Sequence, residues 1–202
     1  GNFRLRFMTS HPKDFNEEVV KVMAKHRKIC RLVHLPVQSG SDKILKAMNR
    51  RYTCGQYLEE VKLLRSYFPE AELTTDIIVG FPGETEEDYL ATERLVREAD
   101  FASAFTFVYS PRTGTKAASM PDQIPESVQK DRIMRLVELV NSLTRKKSEK
   151  YLGKTVEILC EDYDEKKGLY LGRDEFGRMG YFKSETDRIG DFVNCLLYTS
   201  PS

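Results

Sequence analysis

Cysteine is scarce in this sequence, and no two cysteines are close together. The chain of 202 residues has four, with no CxxC or CxxxCxxC spacing: Cys30, Cys54, Cys160 and Cys195. A chain of this length can bury a sizeable core without covalent links, and so few cysteines argue against a disulfide framework. We therefore expect four reduced thiols in a cytoplasmic protein, and we predict no metal site within this chain.

The sequence also lacks a long hydrophobic run and a net charge of either sign. Its formal charge is only +1, so composition alone does not indicate nucleic-acid binding. It has neither an apolar stretch long enough to span a membrane nor a secretory signal, which predicts no membrane partner. Hydrophobic residues make up 40% and charged residues 31%, which is typical of a globular domain.

Both ends of the sequence are unusual. The first residue is not Met, and a strand-like run begins almost at once, at Phe3. Residues 195–202 break the alternation that precedes them and resemble a non-native appendage, so we leave them out of the predicted fold. A genuine short tail without structure is the alternative.

Strand-like and helical patterns alternate over the first 151 residues. The apolar strand-like segments are 5–10, 33–39, 73–81 and 104–110. Each is followed by a helical pattern, and the start signals are Asn16, Ser41, Thr53 with Gln56, Thr85 with Asp88, and Pro125 before a long helix. This alternation predicts an α/β fold with parallel strands. Because the strands are apolar nearly throughout, we expect helices or loops to cover both faces of the sheet.

The pattern changes after about Leu152. Val156, Ile158 and Cys160 alternate with polar residues, and glycines separate several later short runs. This predicts a second, small antiparallel β domain over residues 152–194. We expect it to be an incomplete barrel that lacks a closing strand.

Polar residues follow the predicted strands at their carboxyl ends, where α/β proteins bind ligands. Gln38 and Ser39 offer an amide and a hydroxyl group that suit ribose hydroxyls or a carboxylate. The alternative is a Ser41 helix cap beside an internally bonded Gln38. Gly80 ends the next strand in a turn that would let a ligand approach the backbone, although Gly-rich turns without ligands are common.

Arg112 follows the last of these strands. Its guanidinium group could bind a phosphate or a carboxylate, or it could simply be a solvated surface group. His11 and His34 have no matched Cys or carboxylate spacing, so we do not assign them to a metal.

Five basic residues cluster where the long helix meets the β domain. They are Arg145, Lys146, Lys147, Lys150 and Lys154. Such a cluster can contact an RNA backbone, and a solvated helix end favoured by the helix dipole is equally consistent. Four aromatic residues of the β domain could stack on bases, but we expect them to pack in the core: Tyr170, Phe176, Tyr181 and Phe182.

Four ordered motifs together resemble the MiaB-type methylthiotransferase family. They are RLRFMTSHP at 4–12, HLPVQSGSDKILKAMNRRYT at 34–53, LTTDIIVGFPGET at 73–85 and SAFTFVYSPRTGTKAA at 103–118. Residues 153–193 are similar to a TRAM domain, a small RNA-binding β barrel. The resemblance covers nearly the whole chain.

This resemblance implies a partial radical-SAM barrel followed by a truncated TRAM-like barrel. Family members use S-adenosylmethionine (SAM) and two 4Fe-4S clusters to add a methylthio group to isopentenylated adenosine beside the tRNA anticodon, and they require an electron donor that the sequence does not identify. The cluster cysteines are absent from this chain. We therefore predict that the chain alone is inactive, and we name no catalytic residue.

The resemblance also implies roles for individual residues. Gln38 and Ser39 would face the ribose and methionine portion of SAM, Gly80 and its neighbours would contact adenine, and Arg112 would meet the SAM carboxylate or a tRNA phosphate. The partner would be the tRNA anticodon stem-loop, and the intact enzyme would be a monomer.

Segments 38–41, 48–50 and 109–112 look closest to the isopentenyl-adenosine branch of the family. Sister enzymes that act on threonylcarbamoyl adenosine or on a ribosomal protein remain alternatives. So do a non-catalytic RNA-binding protein and a phosphate-binding α/β enzyme unrelated to SAM.

Overall fold

A computed structural model describes residues 3–7 and 15–198. The helices are α1 (Glu17–Lys25), α2 (Asp42–Ala47), α3 (Cys54–Tyr67), α4 (Glu86–Ala99) and α5 (Glu126–Glu149), with a short 3-10 helix at Lys116–Ser119. The strands are β1 (Leu32–His34), β2 (Glu72–Val79), β3 (Ser103–Val108), β4 (Thr155–Asp164), β5 (Leu169–Arg173), β6 (Met179–Phe182) and β7 (Phe192–Leu196).

The first three strands form a parallel sheet in the order β1-β2-β3. This confirms the predicted parallel α/β part of the chain. Leu5 adds one parallel bridge to Ile29, and the rest of the strand predicted over 5–10 lies outside the described residues beyond Phe7. The predicted strand over 33–39 is interrupted, because β1 ends at His34 and only Gln38 pairs with β2 again, opposite Ile77.

Local capping residues determine where the helices begin. The Asn16 side chain accepts a hydrogen bond from Val19 N at 3.1 Å, and Thr53 and Thr85 form the two predicted capping boxes. The long helix α5 begins directly after Pro125. The side-chain caps at Asn16, Thr53 and Thr85 satisfy backbone N–H groups that have no partner inside the helix.

One face of the parallel sheet forms the core, and the other face is open. Alternate residues of β2 are buried under the helices, including Leu73, Ile77 and Val79. On the opposite face, Phe105 and Phe107 of β3 are 57% and 51% exposed. The expectation that both faces are covered is therefore wrong for the described residues, because an apolar strand sequence does not show what lies against it.

The last four strands form an antiparallel sheet in the order β6-β5-β4-β7, which confirms the predicted change of fold type. The pairing of β4 with β5 has a register shift between Cys160 and Asp162, which is typical of a β-bulge. Strand β7 continues through Leu196, into the segment that the sequence analysis set apart, and Leu197 N donates to Lys154 O at 3.0 Å.

Glu72, at the start of β2, joins the two parts of the chain. It accepts hydrogen bonds from Lys147 Nζ at 3.2 Å and Tyr151 Oη at 3.4 Å. Arg178 of the β domain lies 3.6 Å from the same carboxylate. The carboxylate is nearly buried, so these partners fix the β domain against the parallel sheet.

Within the described residues, no helix is long and apolar enough to cross a membrane.

Candidate functional site

Gln38 lies in a strained turn at the carboxyl edge of the parallel sheet. Its φ angle is 71°, a left-handed value that is costly for a residue with a side chain. Ser39 N donates to Val37 O at 3.0 Å, which closes a tight γ-turn around Gln38. Asp76 and Ile78 of β2 hold this turn through backbone hydrogen bonds of 2.8 and 2.9 Å. The Gln38 side chain has no hydrogen bond to any described residue, and such strain is typical of ligand sites.

Ser39 is fully buried. Its hydroxyl group accepts a hydrogen bond from Ser41 N at 3.2 Å, so it stabilises the turn that carries Gln38. Gly40 is needed next to it because an added Cβ would lie 2.4 Å from the Thr92 backbone of α4. The Ser41 hydroxyl caps α2 and donates to Asp88 at 2.7 Å. The capping role expected for Ser41 is therefore present.

Asp88 links the Gln38 turn to α4. Burial alone would raise its pKa, but hydrogen bonds from Lys43, Thr85 and Ser41 hold the pKa of Asp88 well below its usual range. Lys43 Nζ lies 2.7 Å from the carboxylate. The anion therefore persists at any physiological pH and keeps the loops before α2 and α4 together.

Gly80 ends β2 with a φ angle of 73°. Its N–H donates to Glu84 Oε2 at 2.8 Å, and its carbonyl accepts from Gln129 Nε2 at 3.2 Å. A Cβ at this position would lie 2.5 Å from the Gln129 side chain. Both polar backbone groups of Gly80 are thus already bonded, and a ligand here would contact the turn mainly through its apolar surface.

Tyr109 follows β3 beside the Gly80 turn. Its N–H donates to Val79 O at 2.9 Å, and its ring packs edge-on against Phe81 with 5.0 Å between centroids. Its hydroxyl group is buried without a hydrogen-bond partner in the described part of the chain. An unpaired buried hydroxyl is costly, so the edge of the sheet fits a ligand with polar groups. The sequence analysis included Tyr109 in segment 109–112 but assigned a role only to Arg112.

Arg112 is exposed, and its guanidinium group has no partner among residues 3–7 and 15–198. Its carbonyl accepts from Thr115 N at 3.1 Å and Thr115 Oγ1 at 2.7 Å. The turn therefore has a defined backbone while the cation stays free for an anionic partner.

His34 and Asp76 lie side by side on the open face of the sheet. His34 Nδ1 lies 2.9 Å from Thr74 Oγ1, and Nε2 lies 3.5 Å from Asp76 Oδ2. The imidazole packs edge-on against Phe105 with 6.0 Å between ring centroids. Sequence reasoning considered His34 only as a metal ligand. Along β2, Thr74, Asp76 and Ile78 alternate with residues that face the core. This alternation is the sequence signal that places Asp76 on the open face.

The four cysteines do not fit an iron–sulfur cluster. They lie before β1, at the start of α3, and in β4 and β7, and no group of three or more His, Cys, Asp or Glu side chains in the described residues could hold a metal. Burial raises the pKa of all four thiols, that of Cys54 to about 12. Cluster ligation needs several close thiolates.

The five basic residues predicted to contact RNA do not form one surface. Arg145 and Lys146 are exposed and line an open cavity along α5. Lys154 lines a different cavity of about 580 Å³, between segments 3–4 and 27–30 on one side and the β domain on the other. Lys150 is exposed, whereas Lys147 is paired with Glu72 and Asp100 at 3.2 and 3.1 Å. Within the described residues, four of the five cations therefore have no ion pair, although Lys154 lies over the Tyr151 ring, and they could meet a polyanion.

Three comparisons place the chain among known proteins. Residues 1–96 match the sequence model of the Radical SAM superfamily. The chain is 50% identical over 205 residues to a tRNA-2-methylthio-N(6)-dimethylallyladenosine synthase of Clostridium botulinum, covering 100% of this chain and 45% of that protein. The protein of the same name from Caldicellulosiruptor saccharolyticus is 48% identical, covering 96% of this chain and 41% of that protein.

A solved structure shows the fold. The radical SAM enzyme coproporphyrinogen III oxidase of Escherichia coli matches with a TM-score of 0.57 at 19% identity, covering 94% of this chain and 43% of that chain. The sequence of residues 1–96 is thus similar to the Radical SAM superfamily, and the solved structure shows that the chain shares the fold of that enzyme. Along nearly its entire length the chain is similar to two tRNA-2-methylthio-N(6)-dimethylallyladenosine synthases, which confirms the resemblance to the MiaB-type family. It spans less than half the length of these relatives.

Proposed function

We propose that this chain is part of an enzyme that adds a methylthio group to dimethylallylated adenosine in tRNA, with SAM as cosubstrate. The observation that carries the proposal is the 50% identity to a synthase of that name along the entire chain. Identity at this level covers both the parallel sheet and the β domain, so it concerns the site residues as well as the fold.

The carboxyl edge of the parallel sheet is the SAM site in this proposal. The free amide of Gln38 would hydrogen-bond the ribose or the methionine portion of SAM, and Ser39 would act by holding the turn. Gly80 would lie against the adenine. The unpaired hydroxyl of Tyr109 and the free guanidinium of Arg112 would meet polar groups, the latter a carboxylate or a phosphate.

SAM would supply the adenosyl radical and the methyl group once a reduced 4Fe-4S cluster is nearby, as the family implies. The cysteines of this chain do not fit such a cluster, so the cluster ligands would have to come from residues outside it. The contribution of this chain is therefore to bind and orient SAM and the tRNA. We expect the chain alone to be inactive.

The β domain is the RNA-binding part in this proposal. A TRAM-like, incomplete barrel over residues 152–194, separate from a first domain over 1–151, fits the antiparallel sheet order and the exposed cations beside it. Arg145, Lys146, Lys150 and Lys154 would contact phosphates of the tRNA anticodon stem-loop. A cytoplasmic monomer agrees with this role and stays a prediction.

The test is a chimera in which this chain replaces the matching region of the C. botulinum relative. After anaerobic reconstitution, the chimera is incubated with SAM, a reductant and tRNA that carries dimethylallyladenosine. We expect nucleoside mass spectrometry to show the gain of one methylthio group. A chimera that contains its clusters and cleaves SAM but never modifies dimethylallyladenosine would contradict the proposal, and modification of threonylcarbamoyl adenosine instead would assign the chain to the sister branch.

Site variants of the chimera separate the SAM site from the RNA site. Gln38→Ala should impair SAM use and leave the salt dependence of tRNA binding unchanged. Alanine at Arg145, Lys146, Lys150 and Lys154 should reduce the salt dependence of tRNA binding and leave SAM use unchanged. Each variant is thus the control for the other.

A further inference from the structure

The open face of the parallel sheet combines a polar pair with two exposed aromatic rings. The register of the strands places His34 opposite Thr74 and Asp76 opposite Phe105, and Ile78 opposite Phe107. Residues paired in this way project to the same face of a parallel sheet. The polar pair and both rings therefore share one surface, next to the edge that carries Gln38 and Tyr109.

The polar half of this surface is held in a fixed geometry. Thr74 contacts one nitrogen of the His34 ring and Asp76 the other, at 2.9 and 3.5 Å. Phe105 supports the ring from the side. The side chains of His34 and Asp76 are 19% and 29% exposed, so the pair is accessible in part from the open face while its neighbours fix its orientation. A heterocycle with donors and acceptors along its edge matches such a pair.

The apolar half is unusual for a surface in contact with water. Phe105 and Phe107 are 57% and 51% exposed on an edge strand. Contiguous exposed apolar side chains mark binding surfaces in soluble proteins. No acidic or basic side chain of β3 interrupts this half, which suits an uncharged hydrocarbon group and disfavours a charged one.

We propose that this face binds the target adenosine of the RNA, with the base at His34 and Asp76 and the apolar N6 substituent against Phe105 and Phe107. The inference rests on the proposed function, and it adds the residues that choose the substrate. The five-carbon dimethylallyl group is apolar, as the rings are, whereas a threonylcarbamoyl group carries a carboxylate that the rings could not pair. The aromatic half thus selects the dimethylallylated base.

The experiment measures selectivity by binding, without catalysis. The chimera described above is titrated at one fixed salt concentration with two RNA stem-loops, one carrying dimethylallyladenosine and one carrying adenosine at the same position. We expect preferential binding of the modified RNA. Phe107→Ser should reduce the ratio of the two affinities roughly tenfold, because contacts of this size in apolar pockets have effects of about that order. Phe107→Leu, which stays apolar, should keep most of the preference.

Two further variants complete the design. Met134→Ser removes an exposed apolar side chain (62%) from α5 and should leave the ratio unchanged. Asp76→Asn should weaken binding of both RNAs by a similar factor, because the base is common to both. Thermal unfolding of every variant identifies any that fails to fold. If Phe107→Ser fails to fold, the affinity ratio of Phe107→Leu tests the role of this position.

The outcomes are distinguishable. Preference for the modified RNA that survives Phe107→Ser would overturn the inference while leaving the proposed function intact. Equal binding of both RNAs by the unaltered chimera would overturn it too, and would indicate that another part of the longer polypeptide covers the rings. A chimera that modifies no dimethylallyladenosine under any condition would instead count against the proposed function.

Discussion

Arg132 of α5 donates a hydrogen bond of 2.9 Å to Glu84 Oε2, and their side chains are only 5% and 1% exposed. The same carboxylate accepts from Gly80 N. Burial raises the pKa of Glu84, and the Gly80 amide and the Arg132 guanidinium oppose that rise. The pair therefore anchors the turn after β2 to the long helix that leads to the β domain.

Breaking this pair should cost much of the stability of the chain. Arg132→Met leaves a buried carboxylate without its cation, and we expect a loss of about 3–5 kcal/mol in the free energy of unfolding. Urea denaturation followed by circular dichroism measures it. Arg135→Met is the control, because Arg135 is 36% exposed and its ion pairs and its contact with the Tyr89 ring are partly solvated, so it should cost less, about 1–2 kcal/mol. Equal losses for the two variants would show that the Glu84 pair is not an anchor.

The turn at Gln38 predicts a conflict between stability and function. Gln38→Gly removes the left-handed strain and should raise stability by up to about 1 kcal/mol, while SAM use by the chimera falls because the amide is lost. Asn49 has a similar φ angle of 59° in a turn after α2. Asn49→Gly should therefore stabilise the chain without affecting SAM. A Gln38→Gly chimera with full activity would exclude a ligand role for this amide.

Local features of the fold could be predicted from the sequence, and relations between distant strands could not. The caps at Asn16, Thr53 and Thr85 depend on residues three apart, so the sequence contains all the information needed. The contact of His34 with Asp76 depends instead on the register of two strands about forty residues apart. Lys147 is a second example. The sequence predicts its place on the long helix, but not its partner Glu72, which lies far away in the sequence on β2.

The open face explains why the sequence predicted the wrong environment for β3. A run of apolar residues in a parallel strand is typical of burial on both faces, and the same run results when one face binds an apolar ligand. Only the exposure of Phe105 and Phe107 distinguishes the two cases. For the same reason, the sequence of segment 109–112 does not show that the Tyr109 hydroxyl group is buried without a partner in the described residues.

Glu60 on α3 should make stability depend on pH. Burial raises the pKa of Glu60 to about 7, above its value in the unfolded chain, and one of its oxygens has no partner among the described residues. The folded state then binds the proton more tightly, so this group lowers stability as pH rises from about 4.5 to 7. Glu60→Gln should therefore stabilise the chain at pH 8 and have no effect at pH 4.

The exposed neighbour Glu59 provides the control for this pH dependence. Glu59→Gln changes the net charge by the same amount on the same helix and should have a small effect that does not vary with pH. Urea unfolding midpoints between pH 4 and pH 8 give the comparison. A constant difference between Glu60→Gln and the unaltered chain across this range would show that Glu60 is ionised normally.

The cysteines predict a negative result that can be checked directly. Anaerobic incubation of this chain with iron and sulfide should give no stoichiometric 4Fe-4S absorption, because its four thiols are separated and hard to ionise. The chimera treated in parallel is the positive control. Stable cluster formation by this chain together with SAM cleavage would overturn the division of roles proposed above.

The free cations at the end of α5 should determine how tRNA binding depends on salt. If Arg145, Lys146, Lys150 and Lys154 contact phosphates, alanine at each should reduce the slope of log affinity against log salt by roughly 0.7 to 0.9. Lys147→Ala is the matched control, because this lysine is already paired with Glu72 and Asp100. It should lower the stability of the chain and leave the slope unchanged.

The measurement is a salt series of tRNA titrations with the chimera, since affinity at a single salt concentration does not separate charge contacts from other contacts. If alanine at all four free positions leaves both affinity and slope intact, these residues form only a solvated helix end. If Lys147→Ala alone changes the slope, its ion pairs must open when RNA binds. A stepwise fall in slope with each free cation removed, and none with Lys147, is the outcome that the geometry predicts.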